Sequence, residues 1–142
     1  MTGALPEELR DLVESGPLTY VSTINTDGSP QVTAIWIGLE GDTLVSTHMR
    51  YNAKLRNMQR DPRVVLSFAP PQQTGDWMSP HAIIHATATI GPLGVTGPLL
   101  TRLAKAYVGH DAEYPDLSQT GYIVRYSINR IGGVGPWAGG SS

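Results

Sequence analysis

The sequence has no cysteine. That rules out disulfides, thiolate metal ligands and a cysteine nucleophile, and it suits a reducing, cytoplasmic setting. No apolar run approaches the roughly 20 residues that span a bilayer, and the N-terminus lacks a signal-peptide layout, so no membrane partner is expected. Positive charge is not in excess either: ten Lys and Arg stand against twelve Asp and Glu, a net charge of −2. This argues against a nucleic-acid partner while leaving room for one local anion site. There is no G-x-S-x-G, Walker A or G-x-G-x-x-G string, which leaves serine hydrolase, P-loop and Rossmann readings without support. No metal site is expected. His81 and His85 fall four residues apart on a predicted strand, roughly 13 Å, too far to share an ion.

What is present points to one domain. The 142 residues suffice for a single core, expected over 1–137, with a flexible tail at 138–142. Sixteen Gly and eleven Pro indicate many turns, as in a strand-rich fold. Pro6 to Glu14 reads as a helix with Leu9, Leu12 and Val13 on its apolar face and Gly16 as its stop. Leu18 to Ile24 is a predicted strand that turns at Thr26-Asp27-Gly28-Ser29. The returning strand, Gln31 to Leu39, is apolar on both faces and so is expected to be covered on both. Thr43 to Thr47 is the next strand, and a helix follows it, ended by Asp61-Pro62. Further strands are predicted over Arg63 to Ala69, over Asp76 to Ile90 with a bend at Pro80, and over Tyr122 to Ile128. Pro98 to Val108 reads as a helix, His110 to Gln119 as an acidic loop, and Gly132 to Gly135 as a turn. Trp36, Trp77 and Trp137 are expected in the core. Six hairpin-linked strands of this length close most naturally into a small antiparallel barrel.

The basic residues are concentrated. Arg50, Lys54, Arg56, Arg60 and Arg63 all fall between residues 50 and 63. Such a cluster is either a solvated helix face or a place where helix-start N–H groups and cations hold a phosphate. On a helical wheel, Tyr51, Leu55 and Met58 share the apolar face, and Arg56 and Arg60 lie opposite as solvent charges. Lys54 falls at the edge of the apolar face, with Arg50 and Asn52 just before it.

The segments TYVSTINTDGSPQVTAIWI, AKLRNMQRDPRVVLSF, WMSPHAIIHATATI and the closing GVGPW together resemble the flavin/deazaflavin oxidoreductases of the pyridoxamine 5′-phosphate oxidase-like split-barrel superfamily. The resemblance spans roughly residues 5 to 137. Its most specific part is AKLRNMQRDPR, close to the family's Lys-x-x-Asn-Leu-x-x-Asp/Asn-Pro-Arg signature with Met58 in place of Leu. It implies a mainly β fold, a six-stranded antiparallel, FMN-binding-type split barrel of Greek-key connectivity with flanking helices. It also implies a homodimer with cofactor at the interface. Carried over by position, the cofactor phosphate falls to Arg50, Asn52 and Lys54, and the ring is bordered by Val32, Thr33, Ala34, Ser46 and Thr47. The C-terminal segment with Trp137 is implied to close over the partner's site.

Where pyridoxamine-phosphate oxidases of this superfamily carry an FMN-contacting arginine, this chain has QVTAIW with Thr33, and it resembles more the branch that binds the deazaflavin coenzyme F-420. The expected activity is an F-420-dependent reductase that transfers hydride to a small unsaturated substrate, with Tyr122, Tyr126, His48 or solvent as the proton source. The alternatives are an FMN-dependent oxidase and a non-catalytic deazaflavin carrier.

Overall fold

The computed structural model describes residues 5–71 and 78–138. In chain order the elements are α1 (Glu7–Glu14), β1 (Thr19–Ile24), β2 (Pro30–Ile35), β3 (Gly38–Glu40), β4 (Thr43–His48) and α2 (Ala53–Arg60). They continue with β5 (Arg63–Phe68), β6 (His81–Ile90), β7 (Gly94–Val95), α3 (Gly97–Tyr107), β8 (Thr120–Val134) and a 3-10 turn at Pro136–Ala138. Trp77 and the Asp76 end of the predicted sixth strand lie outside the described residues, as does the tail from 139.

Local chemistry sets the turns. Gly16 ends the α1 segment at φ +74°, and an added Cβ there would stand 2.2 Å from the Ala106 carbonyl oxygen. Conformation and space both demand glycine at that point. The β1–β2 hairpin turns through Gly28 at φ +86°, and the Asp27 carboxylate accepts from the Ser29 N–H at 3.0 Å and from its hydroxyl.

The predicted Gln31–Leu39 strand is interrupted. Trp36 and Ile37 leave the ladder, and the chain resumes as β3, which pairs with β4 instead of β1. A tertiary contact satisfies the donor that the ladder would have used. The Ile37 N–H donates to the Tyr107 hydroxyl of α3 at 3.0 Å, and the Tyr107 ring stacks on Trp36 with centroids 5.2 Å apart. Within this chain the segment is covered on one face only: Ile35 and Ile37 are buried, whereas Val32, Ala34 and Trp36 point outward.

With β2 and β3 taken as one bent strand, the sheet order β2-β1-β5-β6-β8-β4-β3 closes into a six-stranded antiparallel barrel, and the two-residue β7 pairs with β8 outside it. The interior is filled by Val21, Leu66, Phe68, Ile84, Val124 and Tyr126. Leu55 and Met58 of α2 join that core, while Leu103 of α3 lies against Gly38, where a Cβ would come within 2.5 Å of its Cδ2. Burying such aliphatic side chains contributes about 1.5–3 kcal/mol each, which is what holds the short helices against the sheet.

The C-terminal reading is corrected by the ladder. Gly132 and Gly133 are not a turn: they extend β8 opposite Ile83 and Ala82. Gly133 sits at φ +93°, and a Cβ there would meet His81 O at 2.2 Å, so this glycine lets two strands approach. Pro80 does not bend β6 but precedes it, and the irregularity falls between His85 and Ala86. No helix among the described residues is long and apolar enough to cross a membrane.

Candidate functional site

The ladders leave an opening. β3 pairs with β4 only from Gly38↔Val45 to Glu40↔Thr43, whereas β2 pairs with β1 from Ile35 back to Pro30. Beyond Val45, β4 keeps β8 on one side and has no β3 partner on the other. The two strands therefore diverge from Trp36–Ile37, and Thr33 on β2 and Thr47 on β4 belong to the diverging lengths. Strand edges of this kind offer main-chain donors and acceptors to a bound group. Two side chains on them are also incomplete. Thr33 Oγ1 and Thr47 Oγ1 are buried with no hydrogen-bond partner among the described residues. An unsatisfied buried hydroxyl costs about 1–3 kcal/mol, so both positions carry a cost that a hydrogen-bonding ligand would relieve.

The remaining ring-bordering candidates separate. Val32 and Ala34 lie exposed on the outer face of β2. Ser46 is fully buried and committed inward: its hydroxyl lies 2.7 Å from His48 Nε2 and 2.7 Å from the Tyr126 hydroxyl. His48 is 7% exposed, and its pKa is pushed down to about 4, chiefly by burial and further by the Lys54 charge. Burial pushes the Tyr126 phenol well above its ordinary value. Neither is a ready proton source near neutral pH. Tyr122 is partly buried with its ring edge-on to Tyr51.

The residues implied to hold phosphate lie at and just before the start of α2. Asn52 caps the helix, its Oδ1 accepting the Leu55 N–H at 3.3 Å, as a side-chain cap should. Lys54 follows in the first turn. It is half-buried, desolvation lowers its pKa, and it has no carboxylate within ion-pair distance among the described residues. A desolvated cation without an acid is an electrostatic vacancy for an anion. Arg50 lies exposed just ahead of the cap, likewise without an acidic partner among the described residues.

The other basic residues are accounted for. Arg56 donates to Tyr51 O at 3.1 Å, and Arg63 pairs with Asp61 at 2.7 Å, which holds that carboxyl well below its usual range. Arg60 is exposed, as expected of a solvent charge, and also donates to Ile24 O and to Asn57 Oδ1. Trp137 is 7% exposed in its own chain's core, and its indole N–H donates to His81 O at 3.0 Å. Its ring packs within its own chain, against the cluster that fills the barrel.

Two features were missed from sequence. Asn57 is buried with its Nδ2 within reach of three acceptors; it is the asparagine of the Lys-x-x-Asn string, but neither that nor its inward place on α2 announced these partners. The Trp36–Tyr107 stack joins residues 71 positions apart, and nothing local announces it. No cluster of three His, Cys, Asp or Glu suited to a metal occurs among the described residues. A cleft of about 410 Å³ between Leu18, Tyr20, Phe68 and Pro70 has no charged side chain among its described lining, so it is not the anion site.

Comparison with known proteins agrees with this architecture. Residues 5–123 match the pyridoxamine 5′-phosphate oxidase family. An F-420 reductase structure superposes with a TM-score of 0.70 at 24% identity, over 90% of this chain and 98% of that one. A conserved hypothetical protein from Mycobacterium tuberculosis gives 0.67 at 23% identity, over 90% and 83%. An FMN-binding protein from Syntrophomonas wolfei gives 0.64 at 14%, over 91% and 85%. No curated protein matches the chain significantly. With the barrel, its split and the match over residues 5–123 in hand, the chain belongs to the pyridoxamine 5′-phosphate oxidase family of split-barrel, oxidoreductase-type proteins.

Proposed function

We propose that this protein is an F-420-dependent reductase acting on a small conjugated acceptor. The observation that carries this reading is the pair of buried, unpartnered hydroxyls, Thr33 and Thr47, on the diverging strands. A planar heterocycle with a polar edge would supply the partners they lack. Lys54 and Arg50, followed by the capped start of α2, would hold its phosphate by charge-assisted bonds. The residues present therefore fit a phosphate-bearing flavin-type group. Thr33, in place of a cation on β2, together with the likeness to an F-420 reductase, favours the deazaflavin over FMN.

When bound, a reduced deazaflavin supplies a hydride. The chain's own contribution is position, desolvation and electrostatics. His48 stays neutral near pH 7, so it leaves Lys54 as the local positive charge toward the phosphate. Tyr126 is sealed in the core and moves no proton, and water supplies the one the acceptor needs.

The proposed assembly is a homodimer. Leu18, Tyr20, Val32 and Trp36 expose apolar surface along the β1–β2 face, where a second copy would bury it. Sedimentation velocity decides this: a monomer at micromolar concentration overturns the dimer.

Side-by-side titration with F-420 and FMN, read by tryptophan quenching, tests the cofactor. Saturation by F-420 is expected, and saturation by FMN alone overturns the deazaflavin reading. Lys54→Ala is expected to weaken binding about tenfold or more, and the exposed Arg56→Ala about threefold at most. Equal small effects would return the cluster to a solvated helix face. Steady-state oxidation of the reduced coenzyme with enones and quinones separates a reductase from a carrier.

A further inference from the structure

The carboxamide of Asn57 is a buried junction between the two halves of the proposed site. Its Nδ2 lies 3.0 Å from Thr23 Oγ1, 3.0 Å from Asn25 Oδ1 and 3.2 Å from Gln31 Oε1. The same Gln31 oxygen accepts the Thr23 hydroxyl at 3.2 Å. On its other side, Asn57 Oδ1 accepts from Arg60 Nη2 at 3.2 Å, and Arg60 also donates to the Ile24 carbonyl. These partners fix which end of the amide is which. An arginine can only donate, and the Thr23 oxygen, having given its proton to Gln31, accepts. Asn57 is 5% exposed and Thr23 1%, so the bond between them at the centre of the network is shielded from competing water.

Its placement gives it a role. Asn57 stands three residues after Lys54, on the adjoining part of the same helix face. Gln31 stands two residues before Thr33, on the same face of β2. One amide thus ties the helix that carries the anion-holding lysine to the strand that carries the unpartnered hydroxyl. α2 has only eight residues and lies across the sheet by Leu55 and Met58, contacts that resist separation but not sliding or rotation. Directional hydrogen bonds supply the missing constraint.

We propose that Asn57, braced by Arg60, is a positioning residue that sets the reach from Lys54 to Thr33, so that phosphate and ring are gripped as one unit. This rests on the cofactor reading for its function but not for its structural half, and the experiment has an arm for each.

The first arm needs no ligand. In Asn57→Asp, which keeps the volume and replaces the donor by an acceptor, amide hydrogen exchange at Leu55 and Arg56 is expected to rise about tenfold, while α3 amides keep their protection. Unchanged exchange at those positions overturns the proposal. Should Asn57→Asp fail to fold, the exposed Arg60→Gln variant is read the same way, with a rise of about threefold expected. The second arm is a double-mutant cycle on F-420 and FMN dissociation constants. Asn57→Asp or Arg60→Gln is expected to weaken binding about fivefold in the wild-type background and less than twofold on top of Lys54→Ala. Additive effects mean that Asn57 acts independently of Lys54 and overturn the positioning role. A null effect of Lys54→Ala overturns the anion-anchor reading instead, and with it the functional half of this proposal, and leaves the exchange arm to decide the clamp.

Discussion

The Ser46 hydroxyl lies 2.7 Å from His48 Nε2, inside a barrel where both residues are buried. The histidine is held in the barrel beside that hydroxyl, and its burial, with the nearby Lys54 charge, makes stability depend on pH. In the unfolded chain His48 titrates near the ordinary value of about 6.5; in the folded chain it titrates near about 4. Between those values the unfolded state binds the extra proton, so stability rises with pH. The contribution is intact above pH 6.5 and is lost progressively as pH falls to 4, by on the order of 3 kcal/mol. Urea unfolding of wild type and His48→Gln across that window checks it, with a flatter profile expected for the variant. Parallel profiles would refute the assignment.

The two orphaned threonine hydroxyls predict effects of opposite sign. Thr33→Val and Thr47→Val keep the β-branched shape and remove a buried oxygen that has no partner. Each is expected to stabilise the ligand-free protein by about 1 kcal/mol and to weaken cofactor binding severalfold. Thermal melting without ligand and a cofactor titration together measure the trade. A destabilised apoprotein would mean that the hydroxyls already have partners.

Glycine 133 is predicted to be far less replaceable than Gly28, although both have positive φ. Gly28 has nothing within 4 Å of an added Cβ, whereas at Gly133 the His81 oxygen is 2.2 Å away. Gly28→Ala is expected to cost about 1 kcal/mol and Gly133→Ala about 3 kcal/mol or more, from strain and from separation of β6 and β8. Chemical denaturation of the two variants gives the comparison.

Trp137 separates a core role from a cover over a partner's site. Its indole N–H donates to His81 O and its ring packs in the core. Trp137→Phe is expected to lower stability by about 1–2 kcal/mol through the lost bond and volume. Cofactor affinity should be little changed. An unchanged melting temperature with a large loss of affinity would instead favour the covering role.

The barrel was legible because its signals are local. The Asp27-Gly28 turn, the alternation of Ala82, Ile84, Ala86 and Ala88, and the Asp61-Pro62 stop each act over a few residues. The half-buried position of Lys54 was legible too, since helical periodicity alone separates it from the exposed Arg56. The exposure of Arg60 was legible but its partner was not, because the Ile24 carbonyl is 36 residues away and no periodicity points to it. Gly132 and Gly133 were misread because paired glycines look like a turn until a neighbouring strand is known to run beside them and, at Gly133, to need the space.

The amino-acid order specified which segments extend, which coil and which lysine falls at the edge of an apolar helix face, because backbone sterics, turn chemistry and apolar periodicity are short-range. Folding in three dimensions settled where the strand after Pro30 breaks, since that rests on a tyrosine hydroxyl from α3 taking the Ile37 N–H. It also settled which serine turns inward, which threonines are left unpartnered, and which asparagine joins helix to strand. Those are properties of burial and of pairing between distant residues, and a hydrogen bond acquires its partner only when the chain has closed.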